Sequence, residues 1–333
     1  MRTMKEFDHI EGLHNVIKWM DAVGYDKSVS VFYRGTVKLD GTNAGVRFTK
    51  ERIIPQSKTR EITPSDDNFG FASWCSNPLV VEQLRGLEVL YRGIHGLSDE
   101  ASLTLFGEWI GKGIAKGVAV SELPRQFVII NAHVDDGTEE GQYYPAFSSV
   151  GPKCRDVGIY TVGSLPPYEI ELDFSDKEKL KKQVEWITQM TELVEKECPW
   201  AKLFDVSGVG EGIVWVPLDV YGKILTTHLW FKSKGELHKT VKSKEKVQVA
   251  PENLDGINSF VDFALADARL EQGISLIGSL EPRHTPQFLK WIADDVQREC
   301  AAELEANNLE WKAVLPVLQK KAREFFLAKG KEV

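Results

Sequence analysis

Stretches of apolar residues at helical spacing alternate with short strand-like apolar runs over the first 250 residues. Residues 8–23 predict a short helix, with Leu13, Ile17, Met20 and Val23 near one face and Gly24 as its stop. From Ser28 to Pro55 the chain is rich in Val, Phe, Tyr and Ile and reads as strand, broken at Asp40-Gly41. Pro78 to Gly93 predicts a helix through Val81, Leu84, Leu87, Val89 and Leu90. Ala101–Phe106, Phe127–His133 and Ile159–Val162 predict short strands, the first two joined through Gly107, Gly111, Gly113 and Gly117. Ser175-Asp176-Lys177-Glu178 reads as a capping box before Leu180, Val184, Ile187, Thr191 and Val194, a helix ended by Pro199. Gly212–Pro217 and Leu225–Phe231 return to strand character.

Beyond about Val249 only the helical period remains. Ile257–Ala266, Thr285–Ala306 and Leu309–Leu327 all carry it, with Thr285-Pro286 as a helix start and Pro316 as a point of kinking or division in the last helix. The pattern therefore predicts a mixed α+β domain over residues 1–250 and a small all-α domain over residues 251–333, with the boundary near 248–256.

Composition narrows the class. Of 333 residues, 42% are hydrophobic and 27% charged, which is the make-up of a soluble globular protein. The longest apolar runs fall far short of a membrane span, and no signal-peptide pattern follows Met1. Cys75, Cys154, Cys198 and Cys300 are widely spaced, which argues against zinc or a disulfide framework and for reduced thiols in a cytoplasm. The net charge of −8 argues mildly against nucleic acid. Lys232 to Lys246 reverses that sign locally, with six lysines and two glutamates, or +4. Taken alone, such a run is as readily a solvated surface.

Four segments of the first domain carry candidate chemistry. Lys38-Leu39-Asp40-Gly41-Thr42-Asn43 places an amine at a strand end with a turn behind it. Such an amine attacks only when deprotonated, so its neighbours must lower its pKa or stabilise what it attacks. Phe106-Gly107-Glu108-Trp109 and Glu211-Gly212-Ile213-Val214 each set a carboxylate beside glycine at a strand end, suited to ligand hydroxyls or a hydrated magnesium ion. Lys232-Ser233-Lys234 puts two lysines on one strand face, suited to phosphate. Each segment alone has a plainer reading as a charged hairpin, a strand entry or a solvated face. Together they describe covalent attack on a nucleotide phosphate.

In this order the segments resemble the covalent nucleotidyltransferase superfamily of ligases and RNA capping enzymes. Its pattern is Lys-x-Asp/His-Gly, a Gly-Glu strand, Glu-Gly-x-Val, then Lys-x-Lys. The closer resemblance is to the bacteriophage RNA ligase 2 family, which includes the trypanosome RNA-editing ligases. Lys-x-x-Gly-Thr-Asn, the run Phe106 to Ile114, Glu-Gly-x-Val and the tail around Ile274 to Gly278 carry it. The resemblance is weak between about residues 135 and 205. It implies a nucleotidyltransferase domain built on antiparallel sheets with flanking helices. It also implies ATP as AMP donor, Mg2+ or Mn2+, and RNA ends as partners, whether nicks in duplex RNA or broken tRNA. No membrane enters, and one chain suffices for the pathway, so a monomer is expected. A phage-encoded chain acting in a host cytoplasm fits the same resemblance.

By that resemblance Lys38 attacks the α-phosphorus of ATP and expels pyrophosphate. AMP then passes to an RNA 5′-phosphate, and a 3′-hydroxyl attacks the adenylylated end. Glu108 would bind ribose, Glu211 would organise the metal, and Lys232 and Lys234 would contact the α-phosphate. Asp40 and Asn43 would support the later steps. The family's terminal-phosphate arginine falls on Lys58, with Arg60 as the alternative. Ile130 takes the place of the adenine-stacking aromatic, with Phe127 less favoured, and Val37 stands where a glutamate often reads adenine. Phe69 and Phe71 also resemble the family and read as core. Among cations and magnesium, Lys38 is expected to have a depressed pKa. A DNA ligase or capping enzyme would continue into an OB-fold, whereas this tail is helical. Those two activities, and a catalytically silent nucleic-acid-binding relative, remain the alternatives.

Overall fold

A computed structural model of the chain describes residues 4–8, 10–98, 100–135, 137, 141–146, 148–219, 224–235, 237, 254–306 and 309–331. The chain divides into two compact units, residues 1–235 and 236–333. The boundary expected near 248–256 and the lysines from Lys239 to Lys246 fall wholly or largely on 238–253, outside the described residues.

In the first unit the described helices are α1 (Leu13–Val23), α2 (Phe71–Cys75), α3 (Pro78–His95), α4 (Pro152–Asp156), α5 (Lys177–Lys196) and α6 (Pro199–Lys202). The strands are β1 (Val31–Lys38), β2 (Thr42–Phe48), β3 (Ile53–Ser57), β4 (Ser102–Ile110), β5 (Gln126–Asp135), β6 (Gln142–Pro145), β7 (Ile159–Thr161), β8 (Tyr168–Leu172), β9 (Gly212–Leu218) and β10 (Phe231–Lys234). They form a four-stranded sheet, β10-β9-β1-β8, and a six-stranded one, β3-β2-β4-β5-β6, with β7 parallel to β5. Every other pairing is antiparallel. This is the α+β architecture expected from the sequence.

Side-chain alternation fixes the layers. On β1, Val31, Tyr33 and Val37 enter a core shared with α1, α5 and α6 through Met20, Ile187 and Trp200. On β2 and β4, Ala44, Val46, Phe48, Leu103, Leu105 and Trp109 enter a second core with α2 and α3 through Phe71 and Leu84. A third cluster, with Phe7, Phe106, Tyr143, Val214, Val216 and Trp230, draws on strands of both sheets. Each sheet thus has one face on helices and one turned to the other sheet. The polar alternate positions of β1, β2 and β4 are committed to the space between them.

Several boundaries differ from those read in the sequence. The first helix starts at Leu13, and before it Glu11 is bridged to Phe231 and accepts from Lys232 N–H. Its stop at Gly24 is as expected, with φ of 65°. The fourth strand runs on to Ile110, so Glu108 lies within a strand and not at its end. Leu225–Phe231 is not a strand: a 3-10 turn occupies Thr227–Leu229, and pairing starts only at Phe231. The cap of α5 is Asp176, whose carboxylate accepts from Glu178 and Lys179 N–H, while Ser175 turns to Asp173. All four cysteines are buried free thiols. No described helix is long and apolar enough to cross a membrane.

The second unit is helical in its described residues: α7 (Leu254–Ala264), α8 (Asp267–Ile277), α9 (Thr285–Glu299), α10 (Ala301–Ala306) and α11 (Trp311–Lys329). The run expected from Thr285 to Ala306 is divided at Cys300, and Thr285 sits inside its helix with His284 as the cap. Pro316 lies within α11, which continues through it. Phe260, Phe288, Ile292, Val314, Leu318 and Phe326 build the core. One charge is sealed in beside it. The Arg269 guanidinium, fully buried, donates to Asp295 at 2.8 Å, to the Ala264 carbonyl and to Cys300 Sγ. Asp295 also accepts from the half-exposed Arg298 at 2.8 Å.

Removing the partner of a buried charge costs more than removing a surface one. Asp295→Ala is expected to destabilise the helical unit by about 3–5 kcal/mol, and Arg298→Ala by less than about 1 kcal/mol. Urea denaturation of the two variants measures this, and equal losses would contradict the buried-charge account.

Candidate active site

The site begins with strand register. Lys38 and Lys234 both pair with Gly212, one from each side of β9. Antiparallel partners share a face, so both lysines stand on the same side of the sheet. Lys232, paired with Val214, joins them two residues along. Ser233 points the other way, accepting from Thr191 Oγ1 and Trp215 Nε1. Glu211 precedes β9 and reaches back between the two lysines. Its Oε2 accepts from Lys38 Nζ at 2.6 Å, and its Oε1 lies 3.2 Å from Lys234 Nζ. Only 7% of the Glu211 side chain is exposed, against 21% for Lys38. Gly212 is required where it stands: a Cβ there would strike the Ser233 carbonyl and separate β10 from β9.

The six-stranded sheet supplies the other residues. Asn43 on β2 is the cross-strand partner of Glu108 on β4. Gly41 packs so closely on β4 that a Cβ would meet the Trp109 carbonyl and lie 2.8 Å from Ile110 Cγ2. That closeness lets the Gly41 N–H stabilise the ionised form of Glu108. Asp40 is half-buried in the same turn. Lys58 is exposed, one residue past Ser57, the last partner of β2, and so continues the row that holds Asn43. Arg60 is drawn off to Asp66, 2.5 Å away.

The base-facing candidates separate clearly. Phe127 packs with Phe71, Trp74 and Trp109 on the helix-covered face, which removes it as a base-stacking residue. Phe71 is core, as expected. Phe69 is partly buried against the same cluster, in a left-handed conformation with φ of 50°. Its carbonyl accepts from Trp109 Nε1 and Arg125 Nη1. Ile130 is the extra residue of a β-bulge: Phe106 pairs with Asn131 and Gly107 with Ile129, leaving Ile130 without a partner on β4. It packs at the rim of the core that holds Leu39, Ile110 and Val128. A bulge re-aims side chains. Here Asn131 follows Ile130 off the helix-covered face, 1% exposed, with its Oδ1 lacking a partner. Val37 is core, on the opposite face from Lys38. Two residues were not picked out from the sequence. Val214, the apolar member of Glu-Gly-x-Val, lies on the lysine face, and that motif was its signal. Asn131 had no signal, because nothing local marks the bulge.

Charge balance differs from expectation. Burial alone would depress the Lys38 pKa, but the carboxylates of Glu211, Glu108 and Asp40 outweigh it and hold the amine above its usual range. Three acids of the protein itself crowd this lysine, whereas the expected depression belongs to a site that also holds magnesium. Burial would raise Glu211, but Lys38 and Lys234 bring it down to about 2. Glu108 shows the reverse. Burial pushes it up, Glu211 and Asp40 add to that, and Lys38 offsets them only in part, leaving it at about 8. The site thus holds one firmly ionised carboxylate and one that is protonated at neutral pH. No group of three or more metal-ligating side chains occurs among the described residues. Glu211 offers one carboxylate, the kind of limited protein anchor used by a magnesium ion that keeps phosphate and water oxygens as its other ligands.

Two largely antiparallel sheets thus bring a lysine from one strand end together with carboxylates and further lysines. Residues 32–234 match the model of the RNA ligase family, more than half of the 333-residue chain, and the chain belongs to that family. No curated protein matches it in sequence. Among solved structures it is similar to the Naegleria gruberi RNA ligase. For a lysine-to-methionine variant with AMP and Mn, identity is 21% and TM-score 0.42, over 71% of this chain and 57% of that one. For a lysine-to-alanine variant with ATP and Mn the values are 21% and 0.41, with the same coverage. With PPi they are 20% and 0.42. The chain therefore spans little more than half the length of those proteins.

Glu108 generates a pH test. Its folded pKa lies above the unfolded value near 4.5, so the folded state holds a proton that the unfolded state has lost. Its contribution to stability is full below pH 4.5 and declines as pH rises towards 8. Glu108→Gln should raise Tm relative to the unaltered protein at pH 8 and not at pH 4. Thermal denaturation across that range decides it, and a gain of equal size at both pH values would refute the assignment.

Proposed function

We propose that this chain is an ATP-dependent RNA ligase of the RNA ligase 2 type, joining 3′-hydroxyl and 5′-phosphate RNA ends, with nicks in duplex RNA as the favoured substrate. The observation that carries the reading is the buried Glu211 carboxylate bonded at once to Lys38 and Lys234. It sets a nucleophile, an anchor for a divalent cation and a phosphate-binding cation within one bond of each other.

Lys38 Nζ attacks the α-phosphorus of ATP, the bond to pyrophosphate breaks, and a lysyl–AMP phosphoramidate forms. The amine must first lose a proton. Its bond to Glu211 opposes that loss, and a divalent cation held by Glu211 would lessen that opposition. Glu211 would hold that cation, Mg2+ or Mn2+, which when bound supplies positive charge beside the α-phosphate. Lys232 and Lys234 offset the charge gathering on the phosphoryl oxygens. Glu108, protonated, can donate to a ribose hydroxyl as well as accept from one. Ile130 and Val214 offer apolar contact to the base. Asn43 and Lys58 continue one row of the sheet and suit the phosphate of the end to be joined, and Asp40 lies beside them in the turn. AMP then passes from Lys38 to the 5′-phosphate, and the 3′-hydroxyl displaces it.

Incubation with α-labelled ATP and magnesium should label the protein covalently. Lys38→Ala should abolish the label, and Glu211→Ala should reduce its rate by about 100-fold or more. Absence of label on the unaltered protein, with pyrophosphatase present, sinks the proposal, and label from GTP instead redirects it to capping chemistry. Nicked duplexes with RNA or DNA on each side then test the substrate, with RNA expected to be required on the 3′-hydroxyl side.

A further inference from the structure

The segment before α1 is bonded to two of the cations assigned to phosphate. Phe7 N–H donates to the carbonyl of Lys58 at 3.4 Å, and Glu11 accepts at its carbonyl from Lys232 N–H at 2.8 Å. Between them the segment is fastened to the six-stranded sheet twice more. Gln56 Nε2 donates to the Lys5 carbonyl at 2.8 Å, and Tyr143 Oη donates to Asp8 Oδ2 at 2.8 Å. Lys5 and Asp8 close the loop on themselves at 3.1 Å. The Phe7 ring is buried, with its centroid 5.2 Å from that of Phe106 on β4 and 6.3 Å from that of Trp230 just before β10. Lys5 and Asp8 are therefore held by one sheet and Glu11 by the other, with the Phe7 ring packed against residues of both.

The last anchor matters most. β10 is the four-residue edge of its sheet, paired with β9 on one side. On its other side Glu11 forms a parallel bridge with Phe231 and takes the N–H of Lys232. An edge strand this short frays readily without an outer partner. A lysine that must meet a phosphoryl group tolerates little displacement, since a misplacement of about 1 Å can cost about 100-fold in rate.

We propose that Lys5, Phe7, Asp8 and Glu11 form a positioning strap for the phosphate chemistry, with Phe7 as its wedge and Glu11 as the contact that holds Lys232 in place. The strap acts through Lys232 and touches no reacting atom. The catalytic half of this inference rests on the ligase reading. The structural half, that the strap holds β10, does not.

Phe7→Leu and Asp8→Ala loosen the strap without emptying the core. Each should slow lysyl–AMP formation at saturating ATP by about ten-fold while KM for ATP stays within about two-fold, because the loss falls on the transition state. Each should also speed amide hydrogen exchange over residues 229–235. In a Lys232→Ala background neither should slow labelling much further, since effects acting through one residue do not add. Slowing that persists in full in that background overturns the proposal, as does labelling at the original rate or unchanged amide exchange. No label on the unaltered protein overturns the ligase reading and the catalytic half together. Label on it, with full-rate strap variants, overturns the strap alone.

Discussion

A carboxylate taken out of water must find opposite charge, and Glu211 finds it on both sides. Lys38 and Lys234 come from the two strands that flank β9 and meet it at the same residue. A charge that buried, left single, would cost several kcal/mol. The three strands are therefore held in one register by the same bonds that assemble the site. A slip of one residue would turn Lys38 into the core now filled by Val37 and Leu39. Gly212 belongs to the same constraint, because only a residue without Cβ lets β10 approach closely enough for Lys234 to reach.

The two carboxylates of the site are driven apart by their surroundings. Glu211 has two lysines and stays ionised, at about 2. Glu108, on the facing sheet, has burial and two neighbouring acids against one lysine, and rises to about 8. A pair of acids with separated pKa values can divide tasks, one binding cations and the other donating a hydrogen bond. The cost falls on Lys38, which this arrangement holds protonated.

Two sheets turned face to face need something between them. At the lower level Phe7, Phe106, Val214, Val216 and Trp230 exclude water. Above them the same faces carry Lys38, Lys232, Glu108 and Asn43. Apolar floor and polar walls come from alternate residues of the same strands, so the site is a continuation of the core and is as rigid as the core allows. Phe7 shares in that floor, and Lys5, Asp8 and Glu11 are bonded to the two walls.

Much of this was legible in the sequence, because the signals were local or repeated. The period of two in β1 and β2, the period of 3.6 after Val249, and four short motifs in a set order gave the α+β class, the helical tail and Lys38, Glu108, Glu211, Lys232 and Lys234. What depended on partners far along the chain was not legible. The charge balance around Lys38 follows from Glu211, Glu108 and Asp40 converging on it, which no local pattern marks. The bulge at Ile130 exists only against β4, so Asn131 carried no mark. The helix read from residue 8 starts only at Leu13, and Glu11 is instead held by a main-chain bond from Lys232 of β10. A sequence records which groups are present and their spacing along the chain. The energies of charge pairs and strand ladders depend on distances that only folding sets, and those decided the protonation of the site and the path of the strap.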